Sequence, residues 1–319
     1  MKKLFFVFGS LLIFTSIDAQ DFKFPKNVGS YTVGIPGTQI MIDQAEVSVS
    51  DWFAFVYQNY FEEADEHFFA DVNAVMPDTN LLPEKYHILF RIFYRNAIVD
   101  TTKVYINQYF FKGSNSHQKF RMPLSKTEKD WGKNNLPLAQ LQNGGKMYRL
   151  LDLPMVGITY EQAKLYLNWR MNLAEENKSV IKCGYTISAR MMTIEEWQKW
   201  STVSGPRHPE NKTAHIDTTN EKGCYLINVK MVNPCETCQK GIDFCGAGAV
   251  PVYSYFPDNL GIYNLFGNVW EMTNEKGIAI GGSYNNFAIN SDASKTLTYS
   301  HPDSWIGFRC VLEFAKQTK

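Results

Sequence analysis

The sequence predicts a compact fold of helices and short strands joined by much irregular backbone. Three observations carry that expectation. Capping motifs at Ser48, Thr159 and Thr193 each stand before an apolar run, the mark of a helix start. Two glycine turns, Gly267-Asn268 and Gly281-Gly282-Ser283, interrupt an aromatic-rich stretch, as positive φ or close backbone approach requires. Trp270 and the closing run Trp305-Ile306-Gly307-Phe308-Arg309-Cys310 bring large apolar area back to a core.

Of the 319 residues 45% are hydrophobic and 14% aromatic, ample for a large core in one or two domains. The formal net charge is zero and the pI about 7.0. No basic run or aromatic-basic alternation occurs, so no nucleic acid and no anionic membrane is expected as a partner. Residues 1–19 read as a secretory signal peptide. Lys2 and Lys3 make its charged start, residues 4–14 an apolar run too short to span a bilayer, and Ala19 precedes cleavage, leaving Gln20 first. The alternative is a membrane anchor, which the shortness of the run argues against. No cysteine follows the run, so no lipid-attachment site is expected. The mature chain is expected to be exported, periplasmic or secreted, with no membrane span after signal cleavage.

Along the chain, Gly29, Gly34, Pro36 and Gly37 punctuate short apolar runs, which predicts a strand and turns. Ser48-x-x-Asp51 caps a helix from residue 49 to about 61, burying Trp52, Phe55, Val56 and Tyr60. Residues 87–94 and 104–111 read as strands or apolar helix turns, and the acidic run 62–66 as a solvated helix face. Thr159-x-x-Gln162 opens a second helix to about Leu173, with Ala163, Tyr166, Leu167, Trp169 and Arg170 near one face. Residues 185–189 read as a strand. Thr193-x-x-Glu196 caps a third, short helix anchored by Trp197 and Trp200. Residues 204–259, rich in Gly, Pro, Asn and Cys, are loops.

Six cysteines in an exported chain favour disulfides: Cys183, Cys224, Cys235, Cys238, Cys245 and Cys310. Their connectivity stays open. Cys235, Cys238 and Cys245 also suit part of a zinc knuckle, but zinc needs four ligands and the nearest histidine, His215, is 20 residues upstream of Cys235.

The run Gly261-Ile262-Tyr263-Asn264-Leu265-Phe266-Gly267-Asn268-Val269-Trp270-Glu271-Met272-Thr273 is followed by Gly281-Gly282-Ser283-Tyr284 and Gly307-Phe308-Arg309-Cys310. In this order and spacing they resemble the C-terminal signature of the formylglycine-generating enzyme family, the sulfatase-modifying factor domains. Asp43-Gln44-Ala45-Glu46-Val47-Ser48 is similar to the family's Asp-x-x-Glu-Val-Thr element before its first helix. Residues 190–197 keep the family's Arg-Leu-Pro-Thr-x-x-Glu-Trp frame, with Met192 in place of proline. The likeness covers about residues 30–60 and 150–312, and leaves residues 62–150 as an insertion and a candidate partner surface. It implies that residues 20–319 form a single domain with the family's α+β fold, distantly C-type-lectin-like.

Family enzymes oxidise a peptidyl cysteine of sulfatases to formylglycine, using oxygen and copper(I) held by two thiolates. Those cysteines follow the Gly-Gly-Ser-aromatic turn, the first of them two residues after the aromatic. Here Asn285, Asn286 and Ser291 occupy that region, and no cysteine occurs between Cys245 and Cys310. Asparagine and serine are poor copper(I) ligands, so no copper is expected. Cys310 matches a structural disulfide cysteine of the family. Its usual mate lies in the second helix, where Leu167 stands, so Cys310 pairs elsewhere, if at all, with Cys183 as the candidate. A related branch holds non-haem iron on clustered histidines, whereas His67, His87, His117, His208, His215 and His301 are scattered. The resemblance also implies structural calcium, with Asn228 at one place and Asn264, Gly267 and Asn268 at another. The alternative is that these asparagines serve turns.

Tyr284, Asn286, Trp305 and Arg309 are the candidates for a substrate or partner cleft, although Arg309 and Trp270 also suit a buried core. The function expected is that of an exported, non-catalytic binding or scaffold protein on this fold, its partner a protein or glycan of the cell envelope. The alternatives are a metal-dependent oxidase of the formylglycine-generating or non-haem iron type, and a carbohydrate-binding module.

Overall fold

A computed structural model describes residues 22–25, 28, 31–60, 74–83, 86, 152–204, 227–230, 248–255, 257–286 and 295–316. The readings for residues 1–19, 62–66, 87–94 and 104–111, for Ser291 and for Cys224, Cys235, Cys238 and Cys245 lie outside the described residues, as does the side chain of Tyr60.

In chain order the described elements are β1 (Thr32–Gly34), β2 (Ile40–Asp43), α1 (Val49–Tyr60), α2 (Tyr160–Glu175), α3 (Lys178–Cys183), β3 (Tyr185–Arg190) and α4 (Ile194–Ser204). Then come β4 (Trp270–Met272), β5 (Ile278–Ile280), β6 (Thr296–Thr298), β7 (Ile306–Gly307) and β8 (Val311–Lys316). The strands make two four-stranded sheets, ordered β1-β2-β8-β3 and β6-β5-β4-β7. The first is antiparallel throughout; in the second, β4 and β7 run parallel.

The three capping motifs form as the sequence expects. Asp51 N–H donates to Ser48 Oγ at 3.2 Å, and the Asp51 carboxylate accepts the Ser48 N–H at 3.0 Å. Thr159 and Gln162 exchange the same pair of bonds at 2.8 and 3.1 Å, and Thr193 and Glu196 at 3.0 and 3.1 Å. Each box satisfies N–H groups that a helix start leaves without a partner.

Helices α1 and α2 bury their apolar faces together. The rings of Trp52 and Tyr166 stack at 5.9 Å, and Phe308 stands edge-on to Tyr166 at 5.3 Å. On the same side of α2, Arg170 pairs with Asp43 of β2 at 2.9 Å. A second apolar cluster gathers Ile42, Trp197, Phe266 and Ile280 beneath α4. Main-chain bonds stitch distant segments to each other: Val47 N–H donates to the Phe308 carbonyl, Val49 N–H to Leu153, and Met155 N–H to Val47.

The cysteine expectation needs correction at two positions. Cys183 and Cys310 are both free, the first exposed and the second buried. They cannot pair, because they lie at opposite ends of the β3–β8 ladder. Cys183 precedes Tyr185, which faces Lys316, whereas Cys310 precedes Val311, which faces Arg190. Five strand steps separate those ends, roughly 17 Å at strand rise, while a disulfide needs Cα atoms about 4–7 Å apart.

Candidate functional site

Two arrangements stand out around the glycine turns, one sealed in the core and one at the surface. The sealed one begins at Arg309, which the turn after β7 carries inward. Its guanidinium holds Glu271 of β4 at 2.6 and 3.1 Å, and also donates to the carbonyls of Tyr263 at 2.8 Å and Asp43 at 3.2 Å. Both side chains are almost wholly enclosed, at 0% and 2% exposure. Removing one partner of such a pair leaves a bare buried charge, at a cost of about 3–5 kcal/mol. Arg309 is therefore a core group and lines no cleft.

Beside this pair lies Glu46, buried in the segment between β2 and α1. Its two carboxyl oxygens accept the side-chain N–H groups of Asn268 at 2.9 Å and Asn264 at 3.1 Å. Asn268 Oδ1 accepts Asn228 Nδ2 at 3.0 Å and the Val250 N–H at 2.9 Å. Burial pushes the Glu46 carboxyl up to about 7; the Arg309 charge opposes that rise and the Glu271 charge adds to it. Asn264 and Asn268 hold φ of +50° and +58°, as turn asparagines do.

The resemblance placed calcium on Asn228, Asn264, Gly267 and Asn268. Calcium wants six or more converging oxygens. Here the asparagines aim nitrogen at the oxygens around them, and Gly267 presses its backbone against Asn228. Oxygens so engaged by N–H donors, as arranged here, do not fit the ion. Glu46 and Glu271 are the site residues that sequence reasoning did not single out. The available signal was Glu46 itself, a carboxylate between the apolar residues Ala45 and Val47.

At the surface, Tyr284, Asn286 and Trp305 are each partly exposed. Trp270 N–H donates to the Trp305 carbonyl, and Tyr284 N–H to the Asn268 carbonyl, so both segments are held by the stretch that leads into β4. The Asn286 amide oxygen accepts Trp270 Nε1 at 2.7 Å and Ser283 Oγ at 2.6 Å. Its backbone is fixed too, donating to the Ser283 carbonyl and accepting from the Lys230 N–H. Burial raises the Tyr284 hydroxyl above its usual range, against a hydrogen bond with Ser304. Among the described residues no cluster of three or more His, Cys, Asp or Glu side chains is placed to hold a metal.

Residues 33–314 match the model of the sulfatase-modifying factor enzyme 1-like domain. The chain belongs to that family. Its mixed helices and sheets are the α+β fold expected of a sulfatase-modifying factor domain. No curated protein matches the chain in sequence. Solved structures with some likeness include PvdO from Pseudomonas aeruginosa, at 17% identity over 51% of this chain and 63% of PvdO, with a TM-score of 0.36. Variable protein 1 of Treponema denticola is similar at 14% identity over 51% of this chain and 72% of its own, with a TM-score of 0.37. CarF is similar at 19% identity over 51% and 69%, with a TM-score of 0.33. The match thus spans less than two thirds of PvdO's own length.

Proposed function

We propose that this sulfatase-modifying factor domain is an exported, non-catalytic binding or scaffold protein. The observation that carries the reading is Asn286. It stands two residues after Tyr284, where family enzymes hold the first copper-binding thiolate, and its amide oxygen is committed to Trp270 and Ser283. An amide oxygen is hard and neutral at every accessible pH, the opposite of what copper(I) selects. The rest of the stretch as far as Cys310 has no cysteine. Cys310 itself is fully buried, and burial pushes its thiol well above the usual range, so it offers no thiolate to a metal or a substrate.

On this reading the fold is kept for binding, without the thiolate pair of the family enzymes. The partly exposed Tyr284, Asn286 and Trp305 are the surface through which a protein or glycan of the cell envelope would be held. The test is a copper(I) titration of the reduced, purified chain against a competing chelator. The reading predicts that the chelator keeps all the copper; one equivalent withdrawn by the protein would replace it with the oxidase reading. Pull-down from envelope extracts and a glycan array, each repeated with Trp305→Ala, would separate a protein partner from a carbohydrate.

A further inference from the structure

Glu46 holds the turn that carries Asn264 and Asn268, and these asparagines reach on to Asn228 and the loop 248–252. The orientation of each amide there is fixed by main-chain partners. Asn268 Oδ1 takes the Val250 N–H at 2.9 Å, so its nitrogen must face Glu46 and the Val250 carbonyl. Asn264 Nδ2 faces the Val252 carbonyl at 2.8 Å as well as Glu46. Asn228 Nδ2 faces the Gly248 carbonyl at 3.0 Å and Asn268 Oδ1. Turning Asn268 to point its oxygen inward would strand the Val250 N–H and set oxygen against carboxylate, both costly in a buried place. The oxygens of the cluster, those of Glu46, the Asn268 side chain and the Gly248, Val250 and Val252 carbonyls, each already accept an N–H.

We propose that the Glu46 carboxyl group, gripped by Asn264 and Asn268, takes the place of a metal ion at this junction and makes the fold calcium-independent. A calcium ion would pin these segments by drawing oxygens together. Here one carboxyl group pins them by accepting N–H groups, and the asparagine side chains pass the link on to Val250, Val252 and Gly248. Losing a Glu46 acceptor would loosen the loop 248–252 and the Asn264–Asn268 turn together, a defect that no added ion could repair.

The experiment compares thermal melting of the full exported chain in millimolar calcium and in excess EGTA, with calcium content measured after dialysis. Equal melting temperatures and no retained calcium are expected. A calcium-dependent rise of about 3 °C or more, or about one calcium ion held per chain, would overturn the proposal. At pH 8, where the Glu46 carboxyl is ionised and both its oxygens accept, Glu46→Gln replaces one acceptor oxygen by a donor facing an asparagine donor. It should melt about 5 °C or more below the native chain, with or without calcium. Native-like melting of that variant, or its recovery by calcium, would equally overturn the proposal. Should Glu46→Gln not be obtained folded, Asn264→Ala, which removes one donor and leaves the carboxyl in place, is melted instead with the same expectation.

Discussion

Gly267 holds φ at +81°, and a Cβ placed there would lie 2.5 Å from the Asn228 carbonyl oxygen. The obstacle is backbone, so it cannot swing aside. Left-handed strain costs an L-residue roughly 1–2 kcal/mol, and relieving the clash means parting Gly267 from Asn228, whose bridge joins two loops. Gly267→Ala should therefore lose about 3 kcal/mol or more in denaturant unfolding. Gly282, at φ +78°, carries the same left-handed strain, so Gly282→Val should also lower stability, by roughly 1–2 kcal/mol from the strain alone. Glu46 gives a pH dependence with a definite sign. Unfolded, it ionises near its ordinary 4.5; folded, it keeps its proton to about 7, through burial and the nearby Glu271 charge and despite Arg309. The folded chain binds the extra proton between those values. The stabilisation is complete below about pH 4.5 and is lost as the pH rises through about 7. Melting temperature should fall from about pH 5 to about pH 8, and Glu46→Gln should flatten that fall.

Helix starts were legible because a cap is a local motif with local chemistry. Glu196 shows what adds to it: besides closing the box with Thr193, it takes two bonds from Arg190 of β3 at 2.6 and 2.7 Å. Thr193→Ala should cost about 1 kcal/mol, and Glu196→Ala about twice that, measured by thermal or urea unfolding. Strands β4, β5 and β7 were not legible. At two or three residues each they are too short to show alternation, and β4 is buried at every position. The six-residue α3 was missed for the same reason. Glu46 and Glu271 escaped notice because a carboxylate is ordinarily a surface group, and only the three-dimensional approach of Arg309 and the asparagines makes burial tolerable. Among the cleft candidates, sequence left Arg309 between cleft and core, and its enclosure with Glu271 decides for the core. The register of β3 on β8 makes a further prediction. In the native chain Cys183 should react with a thiol reagent at once, and Cys310 only after unfolding.

At the scale of the whole molecule, β8 lies between β2 and β3, so the last described strand closes a sheet begun near residue 32. The Arg309–Glu271 pair and the Glu46 cluster then tie the glycine turns to that sheet. On the proposed reading this framework stands without the metal chemistry of the family enzymes, with Asn286 where the resemblance places a thiolate. The direct measurement of that claim uses a sulfatase-derived peptide containing the target cysteine, incubated with the purified chain, copper(I) and oxygen, and followed by mass spectrometry. The account predicts that the peptide cysteine stays unconverted, with a copper-loaded family enzyme as the positive control. Enzyme-dependent appearance of formylglycine, abolished by copper chelation, would contradict it.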